Sequence, residues 1–149
     1  MERTWVNFLN EERLPEASIV VCINEHEKIL ILRRSSIDHR AGQWTLPGGH
    51  IDEKDTSIEV AGARELFEET NLRCELKDLN YLGEPHPGKY YFWTQDWYGK
   101  ISVHTPNPES GEVEHDDWRW ATIEEIKEIE DTEIPIYLLE KALEMSNNE

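Results

Sequence analysis

The sequence predicts an α/β (α+β) domain in which a mixed β-sheet is packed between helices as an α/β/α sandwich, and three observations carry that expectation. Short β-branched and aliphatic runs come first, a single amphipathic helical segment lies between them and further strand-like runs, and helical periodicity closes the chain. No repeat, low-complexity tract or Pro/Gly/Ser-rich linker divides the sequence, so 1–149 reads as one domain. At 149 residues the chain can bury a core without disulfides or a structural metal.

Ser18 to Ile23 and Lys28 to Leu32 are strands by composition, and the polar Asn24-Glu25-His26-Glu27 between them reads as the turn of a hairpin. A strand ending at Trp44 to Leu46 then meets Pro47-Gly48-Gly49, which the turn chemistry of Pro and Gly predicts to be a turn. From Thr56 to Thr70 the pattern becomes helical, with Val60, Ala63 and Phe67 as the buried stripe. Thr56 and Glu59 suggest a capping box at its start, and Asn71, which tolerates the left-handed conformation, suggests its end. Strands follow at Leu79 to Leu82, Lys89 to Thr94, Lys100 to His104 and Asp117 to Trp120. Thr122 with Glu125 is a second capping box; it opens a short helix bearing Ile123, Ile126 and Ile129, and Ile136 to Met145 forms the last helix.

Composition limits the function. The formal net charge of −17 argues against a long nucleic acid as partner, because such proteins display a basic footprint, but leaves room for a small anion bridged by a divalent cation. Cys22 and Cys74 are too few for a disulfide scaffold and form no zinc pattern with the histidines, so both read as buried free thiols. Glu2, Arg3 and Asn7 interrupt any apolar run near Met1, and no stretch approaches the ~20 apolar residues of a membrane span. The expectation is a soluble, cytoplasmic protein without a membrane partner, and monomer and homodimer both remain open.

The most informative segment runs from Gly48-Gly49-His50-Ile51-Asp52-Glu53-Lys54-Asp55 to Arg64-Glu65-Leu66-Phe67-Glu68-Glu69-Thr70-Asn71-Leu72. Glu65 lies three residues before Glu68 and four before Glu69, which puts their carboxylates on one side of the helix at a cost of roughly 0.2–0.5 kcal/mol per like-charged pair. A hard cation or Arg64 would offset that repulsion. Mg2+ suits the place because it takes oxygen ligands and is commonly shared between one or two carboxylates and substrate phosphates; Mn2+ is the natural substitute. Such an ion neutralises phosphate oxygens and acidifies a bound water, whose proton a neighbouring glutamate can accept. An acidic run alone is usually a solvated helix face. The Pro-Gly-Gly element, the capped helix and the Arg-Glu-Leu-x-Glu-Glu spacing together shift the reading to a metal site. A calcium-binding EF-hand is excluded, since Asp52 to Ala63 has neither the glycine at its sixth position nor the glutamate at its twelfth.

Gly49 to Leu72 resembles the box of the Nudix hydrolase family: Gly, five residues, Glu, seven residues, Arg-Glu, an aliphatic residue, any residue, Glu-Glu, any residue, Gly and an aliphatic residue. The Leu30-Ile31-Leu32-Arg33-Arg34 run and the stretch from Trp120 to Ile126 also resemble that family. The resemblance implies a Nudix-type α/β/α sandwich and a Mg2+-dependent, MutT-like pyrophosphohydrolase. In it Arg64 orients Glu65, Glu68 and Glu69 hold metal with the Gly48 carbonyl, and Glu65 binds metal or acts as base. Glu114, followed by His115 and then Trp120, looks like the family's extra acidic residue, a metal ligand or base, with a charged loop as the alternative reading. His115 itself reads as a surface or hydrogen-bonding residue.

Three departures stand out. Asp55 replaces the box glutamate at the expected five residues after Gly49, eight residues rather than seven separate it from Arg64, and Asn71 replaces the terminal glycine. The first two leave Asp55 without an assigned role.

Substrate clues are fewer. Arg33, Arg34, Arg40 and Lys89 are candidate phosphate partners, with Lys89 favoured because it enters an aromatic strand. Tyr90, Tyr91, Phe92, Trp93, Trp97 and Tyr98 offer rings that either stack on a base or fill the core. Fifteen to eighteen residues past the box, where the resemblance links Pro to ADP-ribose and Tyr to diadenosine polyphosphates, stand Pro87 and Tyr90. The leading expectation is hydrolysis of a nucleoside diphosphate linked to another moiety, such as ADP-ribose, a diadenosine polyphosphate, a flavin or a sugar nucleotide. The alternatives are a nucleoside triphosphate pyrophosphohydrolase, a mannosyl hydrolase acting at carbon, and a non-catalytic nucleotide-binding module.

Overall fold

A computed structural model describes residues 16–36 and 40–148. The stretch around Met1, Glu2, Arg3 and Asn7, on which the expectation of no leader rests, lies outside the described residues. The elements are β1 (Ala17–Cys22), β2 (Ile29–Arg34), β3 (Trp44–Thr45), β4 (Gly48–His50), α1 (Ile58–Thr70), a 3-10 turn at Leu76–Asp78, β5 (Asn80–His86), β6 (Lys89–Thr94), β7 (His115–Ala121), α2 (Ile123–Lys127) and α3 (Ile136–Asn147). The strands form a four-stranded mixed sheet in the order β4-β1-β6-β5 and a three-stranded antiparallel sheet in the order β3-β2-β7. Among the described residues no helix is long and apolar enough to cross a membrane.

Alternation along β1 and β2 explains the layering. Val20, Cys22, Leu30 and Leu32 pack with Leu66 of α1, whereas Val21, Ile23, Ile29 and Ile31 pack with Ile123, Ile126, Leu138 and Leu139 of α2 and α3. Both faces of these strands are covered, so they read as unbroken aliphatic runs rather than alternating ones. Each core draws on both sheets, which together make the middle layer of the sandwich.

Several local expectations needed correction. β1 and β2 are not a hairpin of one sheet: β1 pairs with β4 and, in parallel, with β6, while β2 pairs with β3 and β7, and a single bridge between Ile23 and Ile29 joins them. Gly48 and Gly49 form β4, registered against Ile19 and Ser18, instead of a turn. Helix α1 is capped by Ser57, whose side chain accepts from the Val60 N–H, rather than by Thr56 and Glu59. Its buried residues are Ala61, Gly62, Leu66 and Thr70, and Phe67 is exposed, with the Arg73 guanidinium 4.1 Å from its ring centroid. The small side chains let β1 approach closely, and size-weighted periodicity overlooks them. Lys100 to His104 is not a strand; its backbone is used to close the end of α1, with Ser102 N–H donating to the Thr70 carbonyl and the Asn71 side chain to that of Lys100.

Other expectations stand. Asn71 ends α1 with φ of 66° and donates its N–H to the Phe67 carbonyl. Both halves of the Thr122 and Glu125 capping box are present at α2. Cys22 is a buried free thiol, and Cys74 is a half-buried one.

Candidate active site

The site is built on a half-buried flank of α1. With Gly62, Leu66 and Thr70 turned into the core, Arg64, Glu65, Glu68 and Glu69 fall along the side that faces β4 and the loop before β7. The Glu69 Oε1 accepts the Gly48 N–H at 2.9 Å. The two glycines are required by closeness: a Cβ at Gly48 would lie 2.7 Å from the Ser18 carbonyl oxygen, and one at Gly49 would fall on the Glu65 carboxylate. Gly48 and Gly49 therefore lie in a strand pressed between the β1 backbone and the Glu65 side chain of α1.

Arg64 uses all its donors. Its Nε and Nη2 reach Asp55 Oδ1 and Oδ2 at 2.9 and 2.8 Å, Nη2 also reaches the His50 carbonyl at 3.1 Å, and Nη1 reaches Glu65 Oε1 and Glu68 Oε1 at 3.0 and 3.1 Å. That satisfies the five N–H groups of a guanidinium. Asp55, buried and also accepting the Asp52 N–H at 2.8 Å, is thus the anchor of Arg64 despite the extra residue before the helix. The extra residue falls between Asp55 and Arg64, at the entry to α1 where Ser57 caps the helix, and leaves the register from Arg64 to Glu69 intact.

Burial and mutual repulsion dominate the electrostatics. Burial pushes the Glu65 carboxyl up to about 7, Arg64 pulls it back, and the Glu68 and Glu114 charges raise it. The Glu69 carboxyl is also held well above the carboxylate range by burial and by Glu65, against the Gly48 N–H and Arg34. Arg64, bonded to Asp55, is held firmly cationic.

Glu114 comes from the loop before β7. Its backbone carbonyl accepts from Ser35 at the end of β2, and its Oε1 accepts from Asn107 Nδ2 at 2.6 Å. Ligand atoms of Glu69, Glu114 and His115 lie within 4.8 Å of one another. A small, half-open cleft is lined there by Glu68, Glu69, Val103, Asn107, Glu114 and His115, among others. His115 is buried, which corrects its reading as a surface residue: it opens β7 directly opposite Arg34. Desolvated carboxylates converging on one cleft beside an imidazole suit a divalent cation, because such a charge would remove the repulsion that raises their affinity for protons.

The proposed phosphate partners divide. Arg34 lies close enough to Glu69 for its charge to act there. Arg33 points to the opposite face of β2, donating to Asp116 at 2.7 Å with its guanidinium 5.9 Å from the Trp44 ring. Arg40 pairs with Glu133. Lys89 is exposed at the start of β6, across β1 from β4. Tyr90, Tyr91, Phe92 and Trp93 are core residues, and Trp97 stacks on Trp120 while donating to the Ile23 carbonyl, so these rings are spoken for within the fold. Pro87 and Gly88 form the tight β5–β6 turn. Sequence reasoning missed two contributors, Asp55 and Asn107. Asn107-Pro108 signals a turn, but nothing in its spacing shows what the side chain would touch.

A family model for the NUDIX domain matches residues 13–141. An RNA pyrophosphohydrolase of Bartonella quintana is 31% identical over 137 residues, covering 74% of this chain and 77% of that protein. Among solved structures, a C. elegans Ap4A hydrolase binary complex superposes with a TM-score of 0.64 at 22% identity, covering 90% of this chain and 100% of that one. The NUDIX domain of Shewanella oneidensis NrtR, complexed with ADP ribose, superposes with a TM-score of 0.62 at 21% identity, covering 97% and 99%. With the box glutamates clustered beside β4 and the family model spanning most of its length, the chain belongs to the NUDIX family and is a hydrolase acting on phosphoanhydride bonds.

Proposed function

We propose that this protein is a Mg2+-dependent hydrolase of a nucleoside diphosphate linked to another moiety, with Mn2+ as a substitute ion. The observation that carries the reading is that Glu68, Glu69 and Glu114 line one cleft, while a fully bonded Arg64 holds Glu65 and Glu68. Glu65, Glu68 and Glu69, with the Gly48 carbonyl and Glu114, would hold the ion. When bound, it would supply charge neutralisation at the pyrophosphate oxygens and an acidified water.

The remaining work belongs to the chain. Arg64 fixes Glu65 and Glu68 in one arrangement and is itself fixed by Asp55, so the carboxylates are set before substrate arrives. Glu65 takes the proton of the attacking water, with Glu114 the second candidate for that role. Arg34, whose charge acts on Glu69, supplies a cation for a substrate phosphate, in preference to Arg33 and Lys89. Asp55 is a positioning residue acting through Arg64.

A second reading is removal of pyrophosphate from the 5′ end of RNA, favoured by the name of the Bartonella relative. The net charge of −17 disfavours a long RNA tract along the surface, so this reading confines recognition to the terminal nucleotides. The test is a panel of ADP-ribose, diadenosine tetraphosphate, a flavin dinucleotide, sugar nucleotides, nucleoside triphosphates and a short 5′-triphosphorylated RNA, each with Mg2+ and with products resolved by chromatography. Turnover of a linked diphosphate above the others is expected. Preference for the RNA would establish the second reading, and no turnover of any compound at high enzyme concentration would end both.

A further inference from the structure

Glu114 lies on a loop, outside regular structure, yet its carboxylate must meet side chains carried by α1. We infer that Asn107 is the positioning residue that sets it. The Asn107 Oδ1 accepts two backbone N–H groups, from Glu109 at 2.8 Å and Ser110 at 3.1 Å. With the oxygen committed to those donors, the atom facing Glu114 has to be the amide nitrogen, which donates to Oε1 at 2.6 Å. The backbone of Asn107 closes the same loop, its N–H donating to the Glu112 carbonyl and its carbonyl accepting from Gly111, both at 2.8 Å.

One side chain therefore does two separable things. Its oxygen folds the loop from Asn107 to Glu112, and its nitrogen holds one oxygen of Glu114. The bond is short and charge-assisted, and a carboxylate with one oxygen pinned presents the other in a fixed direction. The main chain of Glu114 is tied at the same time to Ser35. Both ends of the residue are held, which orients its carboxylate toward Glu69 and His115 in the cleft that Asn107 also lines. Removing such a partner of a ligating carboxylate typically weakens metal binding by about 10–100-fold.

This inference rests on the reading of Glu114 as a metal ligand, and the test separates the two. Mn2+ is the probe, with the free ion counted by electron paramagnetic resonance during titration of the whole protein. The proteins compared are the parent, Asn107→Ser, Glu114→Ala and the double variant, and metal-free melting temperatures are recorded for each. Serine keeps a hydroxyl acceptor for the loop but cannot reach Glu114. Glu114→Ala is expected to weaken Mn2+ binding. Asn107→Ser is expected to weaken it by ~10-fold in the parent and to have no effect in the Glu114→Ala background, because the side chain acts through Glu114. An equal loss in both backgrounds would mean that Asn107 only builds the loop, and no loss in the parent would overturn its role outright. Unchanged Mn2+ affinity in Glu114→Ala would instead overturn the assignment of Glu114. Should Asn107→Ser melt well below the parent, Asn107→Asp, which keeps the loop acceptor and loses the donor, would be carried through the same cycle. Retention of parental affinity there would also overturn the inference.

Discussion

Removing Arg64 should damage the fold far more than removing the charge it is paired with. The Asp55 side chain is 3% exposed and that of Arg64 is 29% exposed. In Arg64→Ala the Asp55 carboxylate stays buried with the Asp52 N–H as its remaining donor in this loop, and Glu65 and Glu68 lose the cation between them. Breaking a buried pair from one side costs about 3–5 kcal/mol, and partial access of water to the vacated space lowers this to ~2–4 kcal/mol. In Asp55→Asn the amide still accepts one Arg64 N–H, and Arg64 keeps Glu65, Glu68 and the His50 carbonyl, so the loss is about 1 kcal/mol. For a chain of this size each kcal/mol is worth ~2–4 °C, so Arg64→Ala should lower Tm by on the order of 10 °C and Asp55→Asn by ~3 °C. Urea unfolding followed by the fluorescence of the six tryptophans, in chelator at pH 7, measures both. Equal losses for the two variants, or a loss below ~1 kcal/mol for Arg64→Ala, would refute the argument that Asp55 is the buried partner that Arg64 compensates.

Other outcomes follow from the same site. Because the Glu65 carboxyl rises from 4.5 to about 7 on folding, its contribution to stability is fully present below the unfolded value and is lost as pH climbs through the folded one, at most ~3 kcal/mol. The metal-free protein should therefore be less stable at pH 8 than at pH 5.5, and Mg2+ should raise Tm more at pH 8; a larger Mg2+ effect at pH 5.5 would contradict this, and calorimetric scans decide it. Glu65→Gln should lower kcat by ~10²–10⁴ with the circular dichroism spectrum unchanged, and parental turnover would remove Glu65 from the reaction. Gly49→Ala places a Cβ on the Glu65 carboxylate, so it should cost ~1–3 kcal/mol and most of the activity; an unaltered enzyme would show that β4 can retreat from α1. Ser57→Ala should cost ~1 kcal/mol in urea unfolding while Thr56→Ala costs little, and the reverse order would restore Thr56 as the cap.

Features that depend on short-range spacing were legible from the order of residues alone. The register of Glu65, Glu68 and Glu69, the left-handed close at Asn71 and the capping box at Thr122 are set within a few residues, and local geometry is enough to read them. The continuous aliphatic runs of β1 and β2 announced strands, but which strands they pair with is a long-range matter. Tertiary packing sets that they belong to two sheets, that Gly48 and Gly49 lie in a strand, and that Lys100 to His104 serves the end of a helix. A glycine chosen for closeness looks the same in sequence as one chosen for a turn. The site was legible where its residues share α1 and illegible where they do not. Asp55 reaches Arg64 across nine positions, Asn107 reaches Glu114 across seven, and Glu114 reaches Glu69 across the segment that holds β5 and β6. Such contacts are made by packing, whose outcome is fixed only when the layers close.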